Sequence, residues 1–221
     1  MNRFRDRTDA GRRLAAALSG YAGRDPVVLA LPRGGVPVAL EVAQALHAPL
    51  DLLLVRKIGL PEQPELAMGA VVDGAAPIVV RNRDIIAFSG VDEEAFEAVC
   101  RRELAEIERR RARYIGARRR APIAGRVVIV VDDGIATGAT VKAALEAIRA
   151  RGPQVLVLAV PVAPPQVLAA LRPLVDDIVC PLTPEAFDAI GYFYDDFTQV
   201  DDAAVEAALA RCPVPVPDQR A

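Results

Sequence analysis

A chain of 221 residues, 52% apolar and 25% charged, can bury a sizeable core, and its length suits one domain over 1–221. A net charge of -2 argues against a dedicated nucleic-acid binder, no run approaches the roughly 18 apolar residues of a membrane span, and the arginine-rich start lacks a signal-peptide block, so the expected location is cytoplasmic. The scattered Cys100, Cys180 and Cys212 lack metal-ligand spacing and suit a reducing compartment, while a single histidine, His47, precludes a site of several imidazoles.

In chain order, Arg7 to Leu18 reads as a helix and Pro26 to Leu31 as a short buried strand. After "PRGG" comes "VPVALEVAQAL", apolar at helical spacing, with Pro37 acceptable in a first turn. Leu50 to Val55 reads as another buried strand. Strand, glycine loop, helix, strand is the βαβ pattern and implies a parallel sheet. "LAMGAVVDG" and "PIVVR" predict two strands joined at Asp73 to Pro77 as an inserted hairpin. Asp92 to Ile115 predicts one long amphipathic helix, with Phe96, Cys100, Leu104 and Ile107 on one stripe and arginines at its negative pole.

The second half repeats the rhythm: strand "RVVIVV", helix Thr140 to Arg151, strand "PQVLVLAVPV", helix Pro164 to Leu171, strand "LVDDIVC". An irregular aromatic stretch follows, then a helix over Asp201 to Ala210 and a proline-broken tail, 212–221. The class is therefore α/β: an open, mostly parallel sheet with helices on both faces, an inserted hairpin and a long helix.

Two loops carry the chemistry. In "VVIVVDDGIATGAT", residues 127–140, a buried strand ends in two acids and runs into a loop without bulky side chains. In open parallel sheets ligands settle beyond the carboxyl ends of strands. Thr137 and Thr140 offer hydroxyls, Gly138 lets the backbone turn, Ala139 keeps the concavity clear, and unpaired amides open the next helix, a combination suited to a phosphate. Asp132 and Asp133 would repel that phosphate, so they must face another part of the ligand. Vicinal hydroxyls of a ribose fit, and the spacing matches a ribose 5-phosphate laid along the loop. Acids turned inward and salt-bridged would count against this. The second loop, "LPRGG" at Leu31 to Gly35, adds Arg33, able to fork toward phosphate oxygens, and Gly34 and Gly35, which let backbone amides approach. The spacings of a Walker loop and of a dinucleotide fingerprint are both absent.

The first of these stretches resembles the phosphoribosyl-pyrophosphate signature of the type I phosphoribosyltransferases: hydrophobic strand, two acids, two mostly apolar residues, then A/D-T-G-x-T. The similarity extends over about Val27 to Phe197, and "LPRGGVPVA", "VRKIG" and "PELAMGAV" look like segments of a little-characterised bacterial subgroup. The resemblance implies transfer of the 5-phosphoribosyl group from phosphoribosyl pyrophosphate, with Mg2+, to a nitrogenous base, releasing pyrophosphate, in an enzyme that forms homodimers. It implies a core of about 22–180 and a hood of about 181–200 over the base. Asp132 and Asp133 would hold the ribose hydroxyls, partly through the metal. Ala136, Thr137, Gly138, Ala139 and Thr140 would wrap the 5-phosphate, and Arg33 and Gly34 would contact pyrophosphate in a loop that often carries a cis peptide. Arg56 and Lys57 fall where relatives place basic residues, and Ile58 to Leu66 would be a mobile loop containing Glu65, a candidate acid or base. Phe187 or Tyr192 would stack on the base, and Asp195 or Asp196 would supply the hood acid and a possible metal contact.

Ala136 is a departure, since hypoxanthine–guanine enzymes have an aspartate there, so the resemblance leaves the acceptor open. Without an amino-terminal cysteine or a glutaminase lobe, glutamine is not expected as a nitrogen source. The alternative is a regulator that senses phosphoribosyl pyrophosphate and binds nucleic acid or protein, for which the arginine-rich helix at Arg101 to Arg113 would serve. Acids interspersed in that helix favour a solvated face instead.

Overall fold

A computed structural model of the chain describes residues 3–74 and 77–212. Its centre is two five-residue runs, β1 (Pro26–Ala30) and β6 (Val127–Val131), every residue of which is buried. Runs of aliphatic and β-branched side chains without polar alternation are what a strand covered on both faces needs. Val28, Ala30, Ile129 and Val131 point into one core, and Val27, Leu29, Val128 and Val130 into the other. The first core is closed by α1 (Arg7–Ala17), α2 (Gly35–Ala45), α4 (Glu93–Tyr114) and α7 (Asp202–Ala210). The second is closed by α5 (Ala139–Arg149) and α6 (Pro165–Leu171).

With β2 (Leu50–Leu52), β7 (Val155–Ala159) and β8 (Asp177–Val179), these strands form a five-stranded parallel sheet in the order β2-β1-β6-β7-β8. The register pairs Ala30 with Val131, so β1 and β6 end level. The Leu31 amide extends the ladder to the Val131 carbonyl at 2.9 Å. Both chemistry-bearing loops therefore leave the same edge side by side.

The insertion contains the hairpin that the sequence suggests and adds a strand to it. It is a three-stranded antiparallel sheet, β3 (Val55–Gly59), β4 (Ala67–Val72) and β5 (Ile78–Arg81), followed by a short helix α3 (Arg83–Ser89). Leu50 to Val55 is not one strand. The Leu53 amide still bonds Ala30 of β1, but the Leu54 carbonyl accepts from the Asp73 amide at 2.8 Å, which hands the chain over to the second sheet. Ile58 and Gly59, expected in a mobile loop, lie in β3, and the connection to β4 shortens to Leu60–Leu66, closed by a Leu60 amide bond to the Leu66 carbonyl at 2.9 Å. Helix α3 has no fully buried residue; Ile85 and Ile86 are half-buried against the first core, too short an apolar signal to read as a helix. Asp92 and Asp201 accept from the Ala95 and Ala204 amides, capping α4 and α7.

An ionic clamp built on buried carboxylates joins the two sheets. Arg120 donates to Asp51 of β2 at 2.9 Å, to Asp73 beyond β4, and to the Leu52 carbonyl at 2.7 Å. Both carboxylates are almost inaccessible, and the Ala121 amide supplies Asp51 with a further bond at 2.9 Å. Among the described residues no helix is long and apolar enough to cross a membrane. The expected tail beyond Cys212 lies outside the described residues.

Candidate active site at the carboxyl edge of the sheet

The acid pair begins where β6 stops. Asp132 is half-buried, and its Oδ1 accepts from the Asp133 amide at 2.8 Å, so the first acid caps the turn that carries the second. Burial, together with the charge of Asp133 beside it, raises the Asp132 carboxyl well above the usual carboxylate range. The two acids are not equivalent, although the sequence gives both the same role: one of them, Asp133, meets the condition that counts against that role, and Asp132 does not. Asp133 is turned inward: Oδ2 accepts from Arg7 Nε at 2.8 Å, and each of the two side chains is only 11% exposed. Its carbonyl accepts from the Tyr194 hydroxyl at 2.6 Å, and the Tyr194 phenol is raised by burial and by Asp133. Of the pair, Asp132 is the more open.

The turn that follows is open. Ala136, Thr137, Ala139 and Thr140 are exposed, and Gly138, at φ 79°, opens α5 in the left-handed region that suits glycine. No side chain caps α5, so its first amides have no capping acceptor, and exposed Thr137 and Thr140 flank them. A cavity of about 400 Å³ adjoins this end of α5 and reaches β4 and β5, with Ala139, Lys142, Arg81 and Arg83 in its wall.

The second loop packs against the first. The Pro32–Arg33 peptide bond is cis. A Cβ on Gly34 would stand 2.1 Å from Asp133 Oδ2, and one on Gly35 would stand 2.8 Å from both the Asp132 Cα and the Val131 carbonyl oxygen. Both glycines are thus required by the neighbouring acid loop. Arg33 is half-buried and reaches Asp202, the first residue of α7, at 3.5 Å. Asp202 also pairs with Arg113 at 2.5 Å and accepts from the Tyr114 hydroxyl.

The other predicted residues are distributed around this edge. Arg56 and Lys57 lie on β3; Arg56 pairs with buried Glu103 of α4 at 2.9 Å, and Lys57 with exposed Glu65 at 3.1 Å. In the hood, Phe187 stacks on Phe193 with centroids 5.2 Å apart, so it belongs to the hood's own packing, whereas Tyr192 is 66% exposed. Ile190 covers the turn at Gly134, where a Cβ would meet its Cγ2 at 2.7 Å. Asp195 pairs with Arg3 at 3.3 Å, and Asp196 accepts from the Thr198 amide and hydroxyl. Sequence reasoning missed Arg7 and Asp202. Each lies far along the chain from its partner, and neither sits in a motif.

The comparisons with known proteins agree with this architecture. Two curated Mycobacterium tuberculosis proteins, "Putative phosphoribosyl transferase Rv0571c" and "Putative phosphoribosyl transferase MT0597", are 49% identical over 211 residues. The match covers 96% of this chain but 47% of theirs, so the chain spans about half the length of these relatives. The crystal structure of TT1426 from Thermus thermophilus superposes with a TM-score of 0.82 at 43% identity, covering 94% of this chain and 97% of that one. The AQ2163 protein from Aquifex aeolicus shares the fold at a TM-score of 0.51 and 12% identity, over 92% of this chain and 86% of that one. Residues 3–178 match the phosphoribosyl transferase domain. With strand, acid pair, small-residue turn and glycine loop all at one sheet edge, the chain belongs to the phosphoribosyl transferase domain family.

Proposed function

We propose that the protein transfers a 5-phosphoribosyl group from phosphoribosyl pyrophosphate to a nitrogenous acceptor and releases pyrophosphate. One observation carries this reading: the Asp132–Thr140 turn and the Pro32–Gly35 loop lie level and in contact at the ends of adjacent parallel strands. The exposed hydroxyls of Thr137 and Thr140, with the uncapped amides of α5, take the 5-phosphate. The acids at the end of β6 take the sugar hydroxyls, Asp132 as the open member. Arg33 swings from its long contact with Asp202 toward the leaving pyrophosphate, and Lys57 and Arg56 add positive charge from β3. Tyr192 is the hood ring free to stack on a planar acceptor.

Displacement at the anomeric carbon builds positive charge on the ribose while negative charge leaves with pyrophosphate. The carboxylates stabilise the first, Arg33 accepts the second, and the connection at Leu60–Leu66 is placed to exclude water. Magnesium suits the donors present. The hard carboxylate oxygens of Asp132 and Asp133 sit at the strand end, and among the described residues no group of three or more His, Cys, Asp or Glu could hold a metal ion by itself. Magnesium commonly shares one or two carboxylates with substrate phosphates and keeps waters. Asp132 would hold it, with Asp133 behind, and bound there it would neutralise charge on the pyrophosphate. A cytoplasmic homodimer is part of the same proposal.

The test is a panel of purines, pyrimidines and small amines offered with phosphoribosyl pyrophosphate and magnesium, read as pyrophosphate release. Release that depends on one acceptor supports transfer. Release with none overturns it and points to a sensor. Asp132→Asn should lower acceptor-dependent turnover by about 100-fold or more, the usual cost of removing a group that faces developing charge.

A further inference from the structure

The hood is joined to a segment nearly 190 residues earlier. Phe4 pairs with Tyr194 as a parallel bridge: its amide donates to the Phe193 carbonyl at 2.9 Å, and its carbonyl accepts from the Asp195 amide at 2.9 Å. The Asp196 amide donates to the Arg5 carbonyl at 2.8 Å, and the Phe4 and Tyr194 rings pack 5.4 Å apart. Arg7 follows at the start of α1. Beyond its bond to Asp133 Oδ2, Nη1 donates to the Thr198 carbonyl at 2.8 Å, and the guanidinium carbon lies 3.9 Å over the Phe197 ring. One planar cation thus touches the acid loop, the hood backbone and a hood ring. Tyr194 closes the circuit through its hydroxyl on the Asp133 carbonyl.

We propose that Arg7 is a positioning residue, which, clasped between Asp133 and the Thr198–Phe197 corner, fixes the acceptor-side hood in register with the sugar-side acid loop. The clasp explains why Asp133 is the less open of the pair: its carboxylate anchors Arg7 at 2.8 Å, and Asp132 is left the more accessible toward the sugar. Guanidinium suits this place because its rigid fork bonds two acceptors in plane while its face stacks on an aromatic ring, which an ammonium cannot do. The hood wall is accordingly built from two distant stretches of chain, 3–7 and 187–198. This rests on the sugar-phosphate site proposed above.

The test uses the full chain as wild type, Arg7→Met, Arg7→Lys, Phe197→Leu, Asp133→Asn and the Arg7→Met/Asp133→Asn pair. Amide hydrogen exchange reads residues 3–6 and 193–198 without any ligand. Arg7→Met and Asp133→Asn should each speed exchange there about tenfold, the double variant no more than either alone, with β6 and β7 unchanged. Phe197→Leu, which keeps the ion pair and the core, should give the same confined effect if Arg7→Met fails to fold. Calorimetry with ribose 5-phosphate and a panel of purine and pyrimidine 5′-mononucleotides supplies the second reading. Arg7→Met should keep ribose 5-phosphate within twofold of wild type, lower the affinity advantage of the best mononucleotide about tenfold, and recover partly in Arg7→Lys. A merely structural role would leave that advantage intact. Unchanged exchange in the hood, or an undiminished mononucleotide advantage, overturns the clasp. Failure of wild type to bind ribose 5-phosphate refutes the sugar-phosphate site instead, and the exchange reading still decides the clasp.

Discussion

A methyl group on residue 34 would collide with Asp133, its carbon only 2.1 Å from Oδ2. The φ of Gly34 is -59°, which any residue adopts, so space and not conformation demands glycine. The sequence explains the double glycine as room for backbone amides to approach a ligand. The structure adds a nearer reason, the acid loop lying against it. Gly34→Ala is expected to cost about 1–3 kcal/mol through overpacking. It should also push the two loops apart, so that ribose 5-phosphate binding measured by calorimetry is lost while the far-ultraviolet circular dichroism stays native. Asp132 and Asp133 were legible as a pair because they end a buried strand. Their division of labour was not, because nothing local announces that Arg7 and Asp133, 126 residues apart, will meet.

Among the elements, α4 shows how a charge-rich helix is made stable. Its arginines suit either an anion-binding face or a solvated one, and many of them are paired. Arg109 and Arg110 both donate to Glu106, at 2.8 and 2.7 Å, while Arg113 pairs with Glu206 and Asp202 of α7. Hydrogen bonds from Arg109 and then Arg110 pull the Glu106 carboxyl down from 4.5 to about 2. A depressed carboxyl stabilises the fold fully above its unfolded value, and that stability fades as pH falls through its folded value. Glu106→Gln should therefore lower Tm by a small constant amount above pH 4.5, worth about 1 kcal/mol or less. The gap from wild type should close on acidification toward pH 2, as scanning calorimetry across that range would show. The helix bounds themselves were readable from the apolar stripe and the arginines at its end. The pairing of Arg113 with α7 was not, since it depends on how two helices dock.

For the molecule as a whole, the question is how a three-stranded antiparallel unit stays attached to a parallel sheet that it does not extend. Arg120 provides the bond, held between Asp51 and Asp73 with both carboxylates buried. Removing the cation would leave two buried carboxylates without the partner they share. Arg120→Met is expected to cost about 3–5 kcal/mol, the usual penalty for orphaning a buried ionic partner. At about 2–4 °C per kcal/mol for a chain of this size, Tm should fall on the order of 10 °C. Adding Asp51→Asn and Asp73→Asn to that variant should recover much of the loss, because the repulsion goes with the charges.

The sequence by itself determined the strands and helices whose apolar periodicity is strong, the parallel order implied by repeated strand–loop–helix units, and the two loops that hold the candidate chemistry. All of these are written in neighbouring residues, where spacing and residue size act directly. Only the tertiary structure decided that β3 leaves the first sheet to pair with β4, that Phe187 packs into the hood while Tyr192 stays outside, and that Asp133 faces Arg7 and not solvent. Each of those outcomes depends on where a distant element settles when the cores close. A side chain's partner across 126 residues is fixed by the packing of whole layers, and no local pattern encodes it.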